Sequence, residues 1–114
     1  MSDPYFPSLK DIMTAEHTLN DILVPTPLMK NRNLSDKYEA NIFLKREDLQ
    51  MVRSYKIRGA YNKIKSLTPE EMEKGVVCAS AGNHAQGVAF SAANSVSREK
   101  SICPLLLPGK RSTR

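Results

Sequence analysis

Three short stretches carry residue types whose spacing could do chemistry. The first is Ser54-Tyr55-Lys56-Ile57-Arg58-Gly59. Ser54 is a good N-cap, which puts Lys56 in the first turn of a helix. The positive end of the helix dipole, with Arg53 and Arg58 nearby, disfavours an ammonium there. The neutral amine is the form that condenses with an aldehyde. A plain solvated lysine is the competing reading. The second stretch is Ser80-Ala81-Gly82-Asn83-His84-Ala85-Gln86-Gly87. Small residues at a strand-to-helix turn leave backbone N–H groups free to hold a carboxylate or phosphate, and Ser80 and Asn83 add side-chain donors. An ordinary tight turn with a capping Asn has the same composition; His84 could be catalytic, although a His in such a place is more often a partly exposed packing residue. The third stretch, Lys45-Arg46-Glu47-Asp48, reads as a solvated charged turn.

The elements that must position these residues follow an α/β pattern. Ser8 caps a helix running to about Leu23, with Leu9, Ile12, Met13, Leu19, Ile22 and Leu23 at helical spacing. Val24-Pro25-Thr26-Pro27 breaks it. A short helix over 34–38 and a strand over 41–45 follow. Ile57, Ala60, Tyr61, Ile64 and Leu67 mark one face of the helix that begins near Ser54. Thr68-Pro69-Glu70-Glu71 is a capping box with proline at the first helical position, and Gly75 ends that helix. Val76-Val77-Cys78-Ala79 reads as a buried strand of the parallel type, and a helix runs from His84 to about Ala93. The fold class is therefore α/β with a parallel sheet. Lys56 and Asn83 are 27 residues apart, in adjacent units that would share one edge of that sheet, where ligands bind.

Composition bounds the function. The chain has 114 residues, 40% of them apolar, 25% charged and 6% aromatic, which suits one globular domain at most. Its net charge is +5, but residues 95–114 hold five Lys/Arg (Arg98, Lys100, Lys110, Arg111, Arg114) against one acid, Glu99. The remaining body carries only +1, so the charge is no footprint of nucleic-acid binding. Cys78 and Cys103 lack metal or disulfide-framework spacing, so no metal is expected. The first residues lack a signal-peptide pattern, and no apolar run reaches the length of a membrane span. A reduced, cytoplasmic protein is expected.

The segments LKREDLQMVRSYKIRGAYNKI (44–64) and CASAGNHAQGVAFSA (78–92), with Thr26-Pro27-Leu28, resemble the N-terminal part of the threonine dehydratase (threonine ammonia-lyase) family. The KREDLQ and VRSYKIRGA forms are similar to its biosynthetic type, and the resemblance covers roughly residues 8–100. These enzymes use pyridoxal 5′-phosphate and have the fold type II (tryptophan synthase β) architecture. The resemblance implies a truncated part of a three-layer parallel sheet. It implies that Lys56 carries the cofactor, that Tyr55 packs against its ring where the family usually has Phe, and that Asn83 hydrogen-bonds its ring hydroxyl. Ser80, Ala81, Gly82, Asn83 and His84 would grip the substrate carboxylate. The reaction implied is dehydration and deamination of L-threonine to 2-oxobutanoate and ammonia in isoleucine biosynthesis, with L-serine as a further candidate substrate. The full-length family is implied to be tetrameric.

Two departures qualify that picture. The family's glycine-rich phosphate loop has no counterpart here, since Gly59, Gly75, Gly82, Gly87 and Gly109 are never adjacent. Residues 101–114, SICPLLLPGKRSTR, do not resemble the family strand IYMPVTTPRQK. Yet legal codons for Lys100–Thr113, read from the last base of the Lys100 codon, give IYMPFTTPRQKID. The expectation is a reading-frame shift near Glu99-Lys100, with residues 1–100 the N-terminal part of a catalytic region and 101–114 an out-of-frame basic tail. The chain alone should then be inactive and poorly stable. Serine dehydratase, threonine synthase and cysteine synthase are the enzyme alternatives, and a small basic binding protein is the non-enzymatic one.

Overall fold

In the computed structural model, the described residues are 5–95 and the backbone of 105–106. Helix α1 (Leu9–Leu19) starts at a capping box in which the Asp11 N–H donates to Ser8 Oγ and the Ser8 N–H donates to Asp11 Oδ2. It ends four residues before the expected Leu23. Strand β1 (Leu28–Lys30) follows the proline-bounded linker, then helix α2 (Arg32–Lys37), which Asn31 caps by accepting from the Leu34 N–H. Strand β2 (Phe43–Lys45) leads into a 3₁₀ turn at Glu47–Leu49. Helices α3 (Lys56–Lys65) and α4 (Pro69–Lys74) come next. Thr68 and Glu71 form the expected capping box on α4, and Gly75 ends it with φ +80°, a conformation that suits glycine. Strand β3 (Val77–Cys78), helix α5 (Asn83–Ser95) and strand β4 (Leu105–Leu106) complete the order.

The α/β class holds, but the strands form two separate pairs. β1 and β2 run antiparallel, with Met29 opposite Leu44. β3 and β4 run parallel, Val77 opposite Leu105 and Cys78 opposite Leu106. The strand carrying the Lys56 unit and the strand carrying the Ser80 unit therefore do not share one sheet among the described residues. Val77 is 76% exposed, so β3 is not the buried strand its apolar run suggests: its outer face meets no partner among the described residues.

The core lies between α3 and α5. Ile57, Ala60, Tyr61 and Ile64 are buried on one face of α3, as their spacing requires, against Ala85, Val88 and Ala92 of α5. Leu67, the last member of that series, falls beyond the helix end. Met72, Val76 and Cys78 pack against the edge of the cluster. Buried Ser91 donates its hydroxyl to the Gly87 carbonyl (2.6 Å), so the interface holds a polar group without leaving it unpaired. Small residues on α5 let the two helices approach closely. A Cβ built on Gly87 would lie 3.1 Å from the Lys56 carbonyl carbon and 3.2 Å from its oxygen. No helix among the described residues is long and apolar enough to cross a membrane.

Candidate active site

Lys56 is the first residue of α3, half-buried, with its backbone against Gly87 of α5. Gly87 lies one turn into α5, about 6 Å along the axis from Asn83. The starts of the two helices thus lie within roughly one turn of each other. The two stretches singled out in the sequence come together, through helix–helix packing and not through a shared sheet edge.

The entry to α3 is unusual. Tyr55 occupies the N-cap position and makes no side-chain cap. Ser54, the expected cap, sits one residue earlier and accepts a long bond from the Lys56 N–H (3.3 Å). Arg53 adopts φ +56°, a left-handed conformation costly for a residue with a side chain. No acidic residue stands in the first turn to offset the dipole. The Tyr55 ring is 59% exposed, and the Lys56 ammonium lies over its face, 5.0 Å from the centroid. Residues 81–84 are exposed at the start of α5, and Ser80 is half-buried. The Gly82 N–H donates to Ser80 Oγ (3.3 Å), so one of the turn's donors has an internal partner. His84 is exposed.

The turn at Lys45-Arg46-Glu47-Asp48 corrects the sequence reading most. Arg46 and Asp48 form a surface ion pair, at 2.7 Å. Glu47 turns inward, and its side chain is 14% exposed. Its Oε1 accepts from the Thr26 hydroxyl (2.6 Å) and from Arg58 Nη2 (2.8 Å), while Oε2 accepts from Arg58 Nε (2.9 Å). The Arg58 hydrogen bonds, aided by Thr26, hold the Glu47 carboxyl down to about 2 against the opposing effect of burial. Arg58 therefore has its charge matched by Glu47. Around this pair, Lys45 Nζ donates to the Thr26 carbonyl, the Arg46 N–H to the Pro27 carbonyl (3.0 Å), and Gln50 Nε2 to the Val24 carbonyl (2.8 Å). The linker 24–27, the turn 45–50 and α3 are thereby tied together. Inward Glu47 was not legible from a run of four charges. Its signal was the match between Glu47 and Arg58 across three helical turns' length of chain, together with Thr26 between two prolines.

A groove of about 500 Å³ between α1 and residues 23–25 is lined by Ile12, Leu19, Leu23, Val24 and Arg58, and by neither Lys56 nor residues 80–84. Among the described residues no group of three or more His, Cys, Asp or Glu could hold a metal ion. Cys78 is a free thiol, and Cys103 lies outside the described residues.

The sequence pattern of the pyridoxal-phosphate dependent enzyme family matches residues 19–96, and the chain belongs to that family. It is 61% identical over 83 residues to the biosynthetic L-threonine dehydratase IlvA of Halalkalibacterium halodurans, a match covering 73% of this chain and 20% of the relative. Among solved structures it resembles the processed form of threonine deaminase isoform 2 from Solanum lycopersicum. That likeness has TM-score 0.62 at 39% identity and covers 82% of this chain and 27% of that one. It also resembles the serine racemase of Dictyostelium discoideum, with TM-score 0.71 at 36% identity, over 77% of this chain and 29% of that one. The chain spans about a fifth of the length of the curated relatives it matches.

The residues present fit part of the cofactor. Its aldehyde needs an amine and its ring a flat wall; Lys56 and the exposed Tyr55 face lie beside each other. Its phosphate needs a cluster of N–H donors beyond the single turn at residues 80–84, and no adjacent glycines are available to form one.

Proposed function

We propose that this chain is the N-terminal part of an L-threonine ammonia-lyase, with Lys56 as the residue that takes the cofactor. The observation supporting this reading is the close approach of the Lys56 backbone, at the start of α3, to Gly87, one turn into α5. Identity of 61% to a biosynthetic threonine dehydratase supports threonine as the substrate. Bound pyridoxal phosphate would supply an electron sink for charge developing at the substrate Cα. Tyr55 would stack on the ring, and Asn83 would hydrogen-bond the ring hydroxyl. Ser80, Ala81, Gly82, Asn83 and His84 would hold the substrate carboxylate with turn N–H groups at the positive end of α5. The Lys56 amine would then remove the proton from Cα. L-Serine would be a weaker substrate, the setting cytoplasmic, and the complete protein a tetramer.

Residues 1–100 are proposed as the part belonging to this catalytic region and 101–114 as an out-of-frame tail. In support, the family match stops at residue 96. The nucleotide sequence of the gene tests it: downstream DNA that continues a dehydratase in another frame supports the shift, and its absence refutes it. Activity is tested by 2-oxobutanoate release from L-threonine. The 114-residue chain should release none, and the chain continued in the restored frame should turn threonine over faster than serine. Turnover by the short chain, or preference for serine in the long one, would contradict the proposal.

A further inference from the structure

We propose that Glu47, acting with Thr26 and Arg58, is a positioning residue for Lys56. This rests on the reading of Lys56 as the cofactor-bearing amine. The first turn of α3 has little of its own to hold it: Tyr55 gives no side-chain cap, the Ser54 bond is long, and the turn contains no acidic residue. The preceding Arg53 is strained. What fixes the turn comes from the flanks. On one side Gly87 of α5 abuts the Lys56 backbone. On another, Arg58, two residues beyond Lys56, is gripped through both Nε and Nη2 by Glu47, whose third bond reaches the buried Thr26 hydroxyl. That linker is itself pinned at Val24, Thr26 and Pro27 by Gln50, Lys45 and Arg46. The cluster therefore carries the rigidity of three chain segments to the turn that bears the amine. A reacting group held in place avoids an ordering cost at each encounter. The grip needs the planar fork of arginine, since lysine can supply the charge but not the two parallel bonds.

The test uses the full 114-residue chain and its variants Glu47→Gln, Arg58→Lys and Thr26→Val. Amide hydrogen exchange is followed at residues 58–61, whose N–H groups close the first turn of α3, and at 88–92 in α5. In Glu47→Gln and Arg58→Lys, exchange at 58–61 should rise at least tenfold while 88–92 stays protected; Thr26→Val should give a smaller rise at the same amides. Unchanged exchange at 58–61 overturns the proposal, and so does an equal rise across both helices, which marks a general staple. The two milder variants decide the matter if Glu47→Gln unfolds. A second arm treats each chain with pyridoxal phosphate and borohydride and maps the labelled lysines. Glu47→Gln should lower the label at Lys56 at least fivefold and leave the other lysines unchanged. A wild-type chain with no preference for Lys56 refutes the reading of that residue, while the exchange arm still decides the brace.

Discussion

The helix pair α3–α5 and the strand pairs cover their apolar surfaces very differently. Ile57 and Ala92 are fully buried between the helices, whereas every residue of β1 and β2 is exposed and Val77 of β3 protrudes. Helix α1 resembles the strands in this respect: Leu9, Ile12 and Met13 are exposed and none of its residues is buried. Sheets need neighbours on two faces, and two strands alone cover little. Two helices carrying small residues on their facing sides can bury a stripe completely between themselves. The lesson is that the candidate chemistry rides on the part of the chain that packs best. Lys56 and the turn at 80–84 are brought together by helices that need no sheet to do it.

The largest expected effect tests that contrast at its centre. Ile57→Ala should cost about 2–5 kcal/mol in urea unfolding, or abolish a cooperative transition, because it empties a fully buried site. Val77→Ala should stay within about 0.5 kcal/mol. Comparable losses at both positions would break the comparison.

Glycines sharpen it. Gly87→Val would force a branched side chain onto the Lys56 backbone and should cost about 1–3 kcal/mol. Gly59→Ala, with open space around the built Cβ, should instead stabilise α3 by about 0.5–1 kcal/mol through helix propensity. Thermal melts of the two variants should therefore move in opposite directions.

Glu47→Gln is next, at about 1–3 kcal/mol, the shift discounted for the partly exposed Arg58 partner. The sign with pH is fixed. The Glu47 carboxyl is lower in the folded chain, about 2, than its ordinary 4.5. Its contribution is thus full above pH 4.5 and fades as pH falls toward 2. The difference between wild type and Glu47→Gln should shrink across that window in acid titrations of stability, and be constant from pH 5 to 8.

The smallest effects lie at the surface. Arg53→Gly should raise stability by roughly 0.5–1 kcal/mol by relieving a left-handed residue. Breaking the exposed Arg46–Asp48 pair with Asp48→Ala should leave the unfolding midpoint unchanged.

Local signals were legible in the sequence where they are short-ranged. Ser8, Thr68 and Gly75 mark helix ends because a cap is chosen by residues three apart, and the four buried residues of α3 follow from a single period. The roles of Lys56 and the turn at 80–84 are what the resemblance implies. Long-range features were hidden. The run Val76-Val77-Cys78-Ala79 has the composition of a buried strand, but burial depends on partners a strand cannot name. Helix α1 stops at Leu19 although Ile22 and Leu23 continue its period; a turn in which the Ile22 and Leu23 N–H groups donate to the Leu19 carbonyl takes over. The inward turn of Glu47 depends on Thr26 and Arg58, 21 and 11 residues away, and four adjacent charges give no hint of it. The site is joined by α3 and α5 because Gly87 permits a close approach, a property a lone glycine in a helix does not announce.

The central claim is that this packing makes Lys56 distinct among the chain's ten lysines. Peptide mapping after borohydride reduction of the chain with pyridoxal phosphate tests it most directly. The account predicts that Lys56 carries the largest share of label and that Gly87→Val spreads the label among the other lysines. Label divided among the lysines by exposure alone, unaltered by Gly87→Val, would contradict it.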